Sequence, residues 1–120
     1  MPDEITTLYR PVGWAEFELI REAGFHALPP RLASQPFFYP VTNEEYATQI
    51  ARDWNTKASA SGFVGYVLRF GVMSSFLAGY EIHTVGDSHH QEYWIPAADL
   101  EEFNRSIAGA IEVIAEYRKS

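Results

Sequence analysis

The stretch Ser88-His89-His90-Gln91-Glu92-Tyr93-Trp94-Ile95-Pro96 decides the fold, because it sets an acid inside a run that otherwise reads as a β-strand. Tyr93, Trp94 and Ile95 favour extended backbone, Pro96 stops the run, and Gly86-Asp87 supplies a turn ahead of it. Gln91 to Ile95 is therefore expected to be extended. Strand side chains alternate, which puts His90, Glu92 and Trp94 on one face and Gln91, Tyr93 and Ile95 on the other. A carboxylate flanked by an imidazole and an indole suits the wall of a cleft. The same spacing suits a half-exposed edge strand with an outward acid, and spacing alone does not choose between them.

Upstream, Ile5 to Arg10 reads as a first strand ending at Pro11, with Leu8 and Arg10 on one face. The spacing of Trp14, Phe17, Ile20 and Ala23 predicts a helix over 14–23 with Gly24 as its C-terminal cap. Leu28-Pro29-Pro30-Arg31 must be a loop, and Phe37-Phe38-Tyr39-Pro40-Val41 a short aromatic edge strand between prolines. Thr42-Asn43-Glu44-Glu45 has the form of a capping box opening a helix to about Trp54, whose packed face is Tyr46, Ala47, Ile50, Ala51 and Trp54. Asn55 to Gly62 is small and polar, hence a loop.

Phe63 to Val72 is an almost unbroken apolar run, interrupted by Arg69, and reads as a central strand covered on both faces. Gly65 and Gly71 share the Arg69 face and permit close packing there. Met73 to Tyr80 is a short helical turn and Glu81 to Val85 a short strand. Beyond Pro96, Leu100, Phe103 and Ile107 form the stripe of a helix over 97–107, with Asp99, Glu101 and Glu102 complementing the dipole of its first turns. Ile111, Val113, Ala115 and Tyr117 alternate as the buried face of a last strand. This order predicts one α+β domain over residues 1–120, with a mostly antiparallel, split β-sheet and about three helices.

Composition narrows the function. At 120 residues the chain suits one core, and 47% hydrophobic residues with 15% aromatics mark it as folded. The net charge of -7 opposes a nucleic-acid or anionic-membrane role, which needs clustered Lys and Arg. The absence of cysteine excludes disulfides, thiolate metal sites and cysteine nucleophiles. The acidic N-terminus is no secretory signal and no apolar run is long enough to span a bilayer, so a cytoplasmic protein is expected. The aromatic content serves a homodimer interface as readily as a core.

No Gly-x-Ser-x-Gly, Gly-x-Gly-x-x-Gly or phosphate-loop motif is present. His83, His89 and His90 lie near an acid but lack the spacing of a metal site, and no metal is expected. What remains is a constellation: Arg10 on the first strand, the aromatics Phe37, Phe38, Tyr39 and Tyr46, and Glu92. Each alone has a structural explanation: a surface arginine, packed tyrosines, a solvated acid.

Together these residues resemble the ADP-ribosyltransferase fold, and the small bacterial family labelled "ADP-ribosylation/crystallin J1". The resemblance covers Thr7 to Tyr117 and is sharpest at Gln91 to Pro96, which is similar to the transferases' catalytic strand. Leu8-Tyr9-Arg10 resembles their first-strand motif, and Phe37-Phe38-Tyr39 with Tyr46 their nicotinamide-holding aromatic motif. The resemblance implies NAD as substrate, cleaved at its nicotinamide N-glycosidic bond by ADP-ribosyl transfer or hydrolysis. Glu92 would be the catalytic carboxylate, Arg10 would hold a ribose or pyrophosphate group, and Tyr39 and Tyr46 would sandwich the nicotinamide. His90 would orient the acceptor, a protein or a small molecule, or act as a base. The chain departs from the pattern where Pro11 follows Arg10, where His90 replaces an acid or amide, and in lacking a Ser-Thr-Ser strand, which argues against arginine as acceptor. A non-catalytic binding or regulatory module on the same scaffold is the alternative.

Overall fold

The computed structural model describes residues 4–30, 35–86 and 90–119. Among these residues seven strands and four α-helices follow one another: β1 (Ile5–Val12), α1 (Trp14–Glu22), β2 (Phe37–Phe38), α2 (Glu44–Asp53), β3 (Val64–Met73), α3 (Ser74–Leu77), β4 (Ile82–Thr84), β5 (Gln91–Tyr93), β6 (Ile95–Pro96), α4 (Leu100–Arg105) and β7 (Ile107–Arg118). All the paired strands are antiparallel, in a three-stranded sheet β1-β3-β7 and two ribbons, β2-β6 and β4-β5. The result is a compact single α+β domain.

The central apolar run becomes β3, whose two faces serve different layers. Val64, Tyr66, Leu68, Phe70 and Val72 join Leu8, Val12, Ile20, Phe38, Tyr93, Ile95 and Phe103 in the main core. Val67 on the other face packs with Val41, Ala47 and Ala51, so α2 covers that side. Gly65 makes this approach possible: a Cβ there would lie 2.3 Å from the Ala51 carbonyl oxygen.

The last strand does not alternate as expected. Val67 pairs with Ala115 and Leu68 with Val113, which leaves Ile114 as an extra residue and reverses the faces across the bulge. Ile111 is buried in the main core, Val113 is 41% exposed, and Ile114, Ala115 and Tyr117 pack on the α2 side.

Several helix boundaries move for local reasons. Asn43, not Thr42, caps α2, its Oδ1 accepting the Tyr46 N–H at 2.7 Å. Thr42 instead sits at a bend, its N–H donating to the Gln91 carbonyl at 3.0 Å. Trp54 falls beyond the packed turns of α2 and is 70% exposed. The helix expected over 97–107 is a 3-10 turn, Ala97–Asp99, followed by α4, and Ile107 already opens β7. Helix α1 ends as expected: Gly24 takes φ +69°, and the N–H groups of Gly24 and Phe25 donate to Arg21 and Ile20.

Pro11 does not end β1. Tyr9 directs its N–H and C=O away from β3, and Pro11, two residues on, points its missing donor the same way, so no bond to β3 is lost.

Replacing Gly65 with Ala is expected to cost about 1–3 kcal/mol, the usual penalty for overpacking. Urea denaturation measures it, and an unchanged midpoint would mean that α2 does not press on β3 at this point.

Candidate functional site

The site begins with the backbone of Val41. Tyr9 and Val41 exchange two hydrogen bonds of 2.9 Å, N–H to carbonyl in each direction. Val41 also faces Glu92 across an antiparallel bridge flanked by Tyr93 N–H to the Pro40 carbonyl and Thr42 N–H to the Gln91 carbonyl. Glu92 in turn sits opposite His83 in the β4-β5 ribbon. Residues directly opposite one another share a face. One row therefore crosses the molecule on the α2 side: Glu112, Arg69, Tyr9, Val41, Glu92 and His83.

The partition of the opening motif follows. Tyr93 and Ile95 are buried in the core, while His90 and Glu92 are half-buried and Trp94 is 39% exposed on the other side. The extended run is interrupted at Trp94, between β5 and β6. The Glu92 carboxylate is clamped by two donors: the Trp94 indole N–H reaches Oε1 at 3.0 Å, and the Tyr46 hydroxyl makes a long bond to Oε2 at 3.4 Å. Burial, then the charge of Glu92 and this hydrogen bond, push the Tyr46 phenol above its ordinary value.

Two parallel ring stacks flank the carboxylate. His83 lies on Trp94 with centroids 4.0 Å apart, and His90 lies on Tyr46 at 4.4 Å, each pair tilted by 11°. Tyr39 meets Trp94 edge to face at 6.1 Å. His90 Nε2 pairs with Gln49 Oε1 at 3.0 Å. Gln49 also lines a groove of about 480 Å³ along the exposed side of α2, with Glu44, Glu45, Thr48 and Arg52.

Of the residues singled out in the sequence, Glu92, His90, Tyr46 and Tyr39 are thus brought together, and Arg10 is not. Arg10 alternates with Tyr9 on β1 and points into the opposite side of the sheet. There its guanidinium makes a bidentate pair with Glu16 of α1, at 2.5 and 2.9 Å, and lies 4.6 Å from the centre of the Phe38 ring. Arg10 is 9% exposed, so its fork is already occupied.

His83, weighed in the sequence only as a metal ligand near an acid, also belongs to this group. The two short strands about a turn were legible, but not their register: a turn centred on Gly86-Asp87 would set His83 opposite His90, whereas Thr84 pairs with Gln91 and His83 with Glu92. His89 lies outside the described residues. Among those described, no group of three His, Asp or Glu side chains is placed to hold a metal ion, and no helix is long and apolar enough to cross a membrane.

No family model matches the chain, and neither curated proteins nor solved structures show a significant similarity to it.

Because Glu92 supplies only part of the Tyr46 shift, Glu92→Gln is expected to lower the Tyr46 pKa while leaving it above 10.0, burial being the largest cause. A raised phenol pKa favours the folded state below the unfolded value, and that contribution is lost as pH rises through the folded one. Stability from Tyr46 is therefore expected to fade only on the alkaline side, and by less in the Gln variant, whose phenol is raised less. An NMR titration of labelled tyrosines reads both proteins, and an unmoved Tyr46 would show that the two side chains do not interact.

Proposed function

We propose that the Glu92 face is a ligand-binding site for a planar organic cation attached to a hydroxyl-bearing group, and that the ligand is NAD, bound through its nicotinamide ribose. On this reading the chain is an ADP-ribosyltransferase-like protein that cleaves the nicotinamide N-glycosidic bond, by transfer or by hydrolysis. The observation that carries it is the Glu92 carboxylate, clamped by Tyr46 and Trp94 between two stacked aromatic pairs.

Each part of that arrangement has a matching part in the ligand. The nicotinamide ring of NAD is planar and positively charged, and aromatic faces beside a carboxylate attract such a ring. A carboxylate held by two donors is oriented before the substrate arrives. It accepts a hydrogen bond from a ribose hydroxyl and offsets the positive charge that develops at C1′ as the bond to nitrogen lengthens. Tyr46 and Trp94 would serve twice, holding the carboxylate and walling the ring. Tyr39, edge-on to Trp94, would close the outer side.

One observation favours the second reading, a non-catalytic binding module on the same scaffold. Arg10, expected to hold a ribose or pyrophosphate group, is spent on Glu16 across the sheet. In that case the Glu92 face would bind its ligand without breaking it.

Calorimetry with NAD and chromatography of released nicotinamide test the proposal together. The wild type is expected to bind NAD and release nicotinamide, and Glu92→Gln to bind while losing about 10²–10³ of the rate, the usual cost of removing one preorganised electrostatic contact. Binding without release would favour the non-catalytic module. Neither binding nor release would end the NAD reading.

A further inference from the structure

We propose that His83 is the general base of this site, and that the acceptor it serves is a hydroxyl group, water in the simplest case. The inference rests on the NAD reading above and extends it to the second reactant.

His83 is placed for that role by three observations. It is the direct cross-strand partner of Glu92, so its side chain leaves the ribbon on the same face as the carboxylate. Its ring lies flat on Trp94, the residue whose indole N–H holds Glu92, so Trp94 positions the imidazole and the carboxylate together. Among the described residues, no side chain or backbone group hydrogen-bonds either ring nitrogen of His83, although the residue is only partly exposed. His90 differs on this last point, since its Nε2 is held by Gln49. A base must have a lone pair to offer, and among the described residues no hydrogen bond occupies the ring nitrogens of His83.

The chemistry balances with these groups alone. The C1′–N bond of NAD breaks and its electron pair leaves with nicotinamide, which departs neutral. The acceptor oxygen forms the new C1′–O bond, and its proton passes to an imidazole nitrogen of His83. The imidazolium then returns that proton to solvent, so that with water the sum is NAD and water giving ADP-ribose, nicotinamide and one proton. A neutral imidazole suits a hydroxyl, whose acidity rises as the C–O bond forms. Glu92 meanwhile offers its carboxylate to the charge at C1′, so the two side chains divide the work.

The test follows nicotinamide release against pH in the wild type and in His83→Gln, with NAD affinity and thermal midpoint measured on the same samples. The rate of the wild type is expected to fall on the acid side. His83→Gln is expected to lose about a hundredfold in rate together with that acid limb, as loss of a general base does, with NAD affinity and thermal midpoint retained. Added imidazole should restore part of the rate to His83→Ala, which a purely structural role would not allow and which carries the test should the Gln variant misfold. A His83→Gln protein with the wild-type rate and pH profile overturns the assignment of His83 and leaves the NAD reading standing. A wild type that releases no nicotinamide defeats the catalytic reading and this inference with it.

Discussion

The pair of hydrogen bonds that Val41 exchanges with Tyr9 holds the rest of the arrangement in register. On one side Tyr9 belongs to β1 and, through it, to the three-stranded sheet. On the other, Val41 meets Glu92, and Glu92 meets His83. A single residue just after Pro40 thus extends the sheet to the β4-β5 ribbon. Because side chains alternate along each strand, this one register decides that Glu92 and His83 emerge on the α2 side. A slip of one residue would turn both into the core and bring Tyr93 out. The next residues consolidate the arrangement: Thr42 donates its N–H to the Gln91 carbonyl, and Asn43 starts the helix that carries Tyr46 to the carboxylate.

The two faces of β1 carry opposite electrostatic solutions. On the core side, Arg10 is a buried charge paired with Glu16 through its Nε and Nη2, and it rests on Phe38. On the α2 side, Glu92 has no cation among its hydrogen-bond partners in the described residues. It is held by a phenol and an indole, neutral donors that fix its direction without bringing a charge of their own. A half-exposed anion held in that way is the feature most suited to a cationic ligand, and the stacked rings on either side have faces to match. The sheet separates the residues once grouped as one constellation: the arginine stabilises the packing of α1, and the acid faces outward.

Much of this was legible in the sequence, and the reasons differ element by element. The alternation from Gln91 to Ile95 identified which face Glu92 would share, because period-two patterning survives any tertiary context in which one face is buried. The glycine at 65 signalled close packing for the same reason. Arg10 could not be placed from its own strand, since its partner Glu16 sits on α1, and a strand pattern carries no information about which helix will cover it. The bulge at Ile114 was equally invisible, because the run from Ile111 to Tyr117 alternates well on paper and only pairing with β3 breaks it. His83 lay hidden for a further reason: it becomes a neighbour of Glu92 only through the register of the β4-β5 ribbon, and no local motif announces it.

The account stands or falls on whether the Glu92 face receives a ligand, and a crystal structure of the protein with NAD measures that most directly. The arrangement described here expects the nicotinamide ring against Tyr46 and Trp94, with a ribose hydroxyl donating to Glu92. Nicotinamide bound on the Arg10 side of the sheet, or a Glu92 face left vacant at saturating NAD, would contradict it.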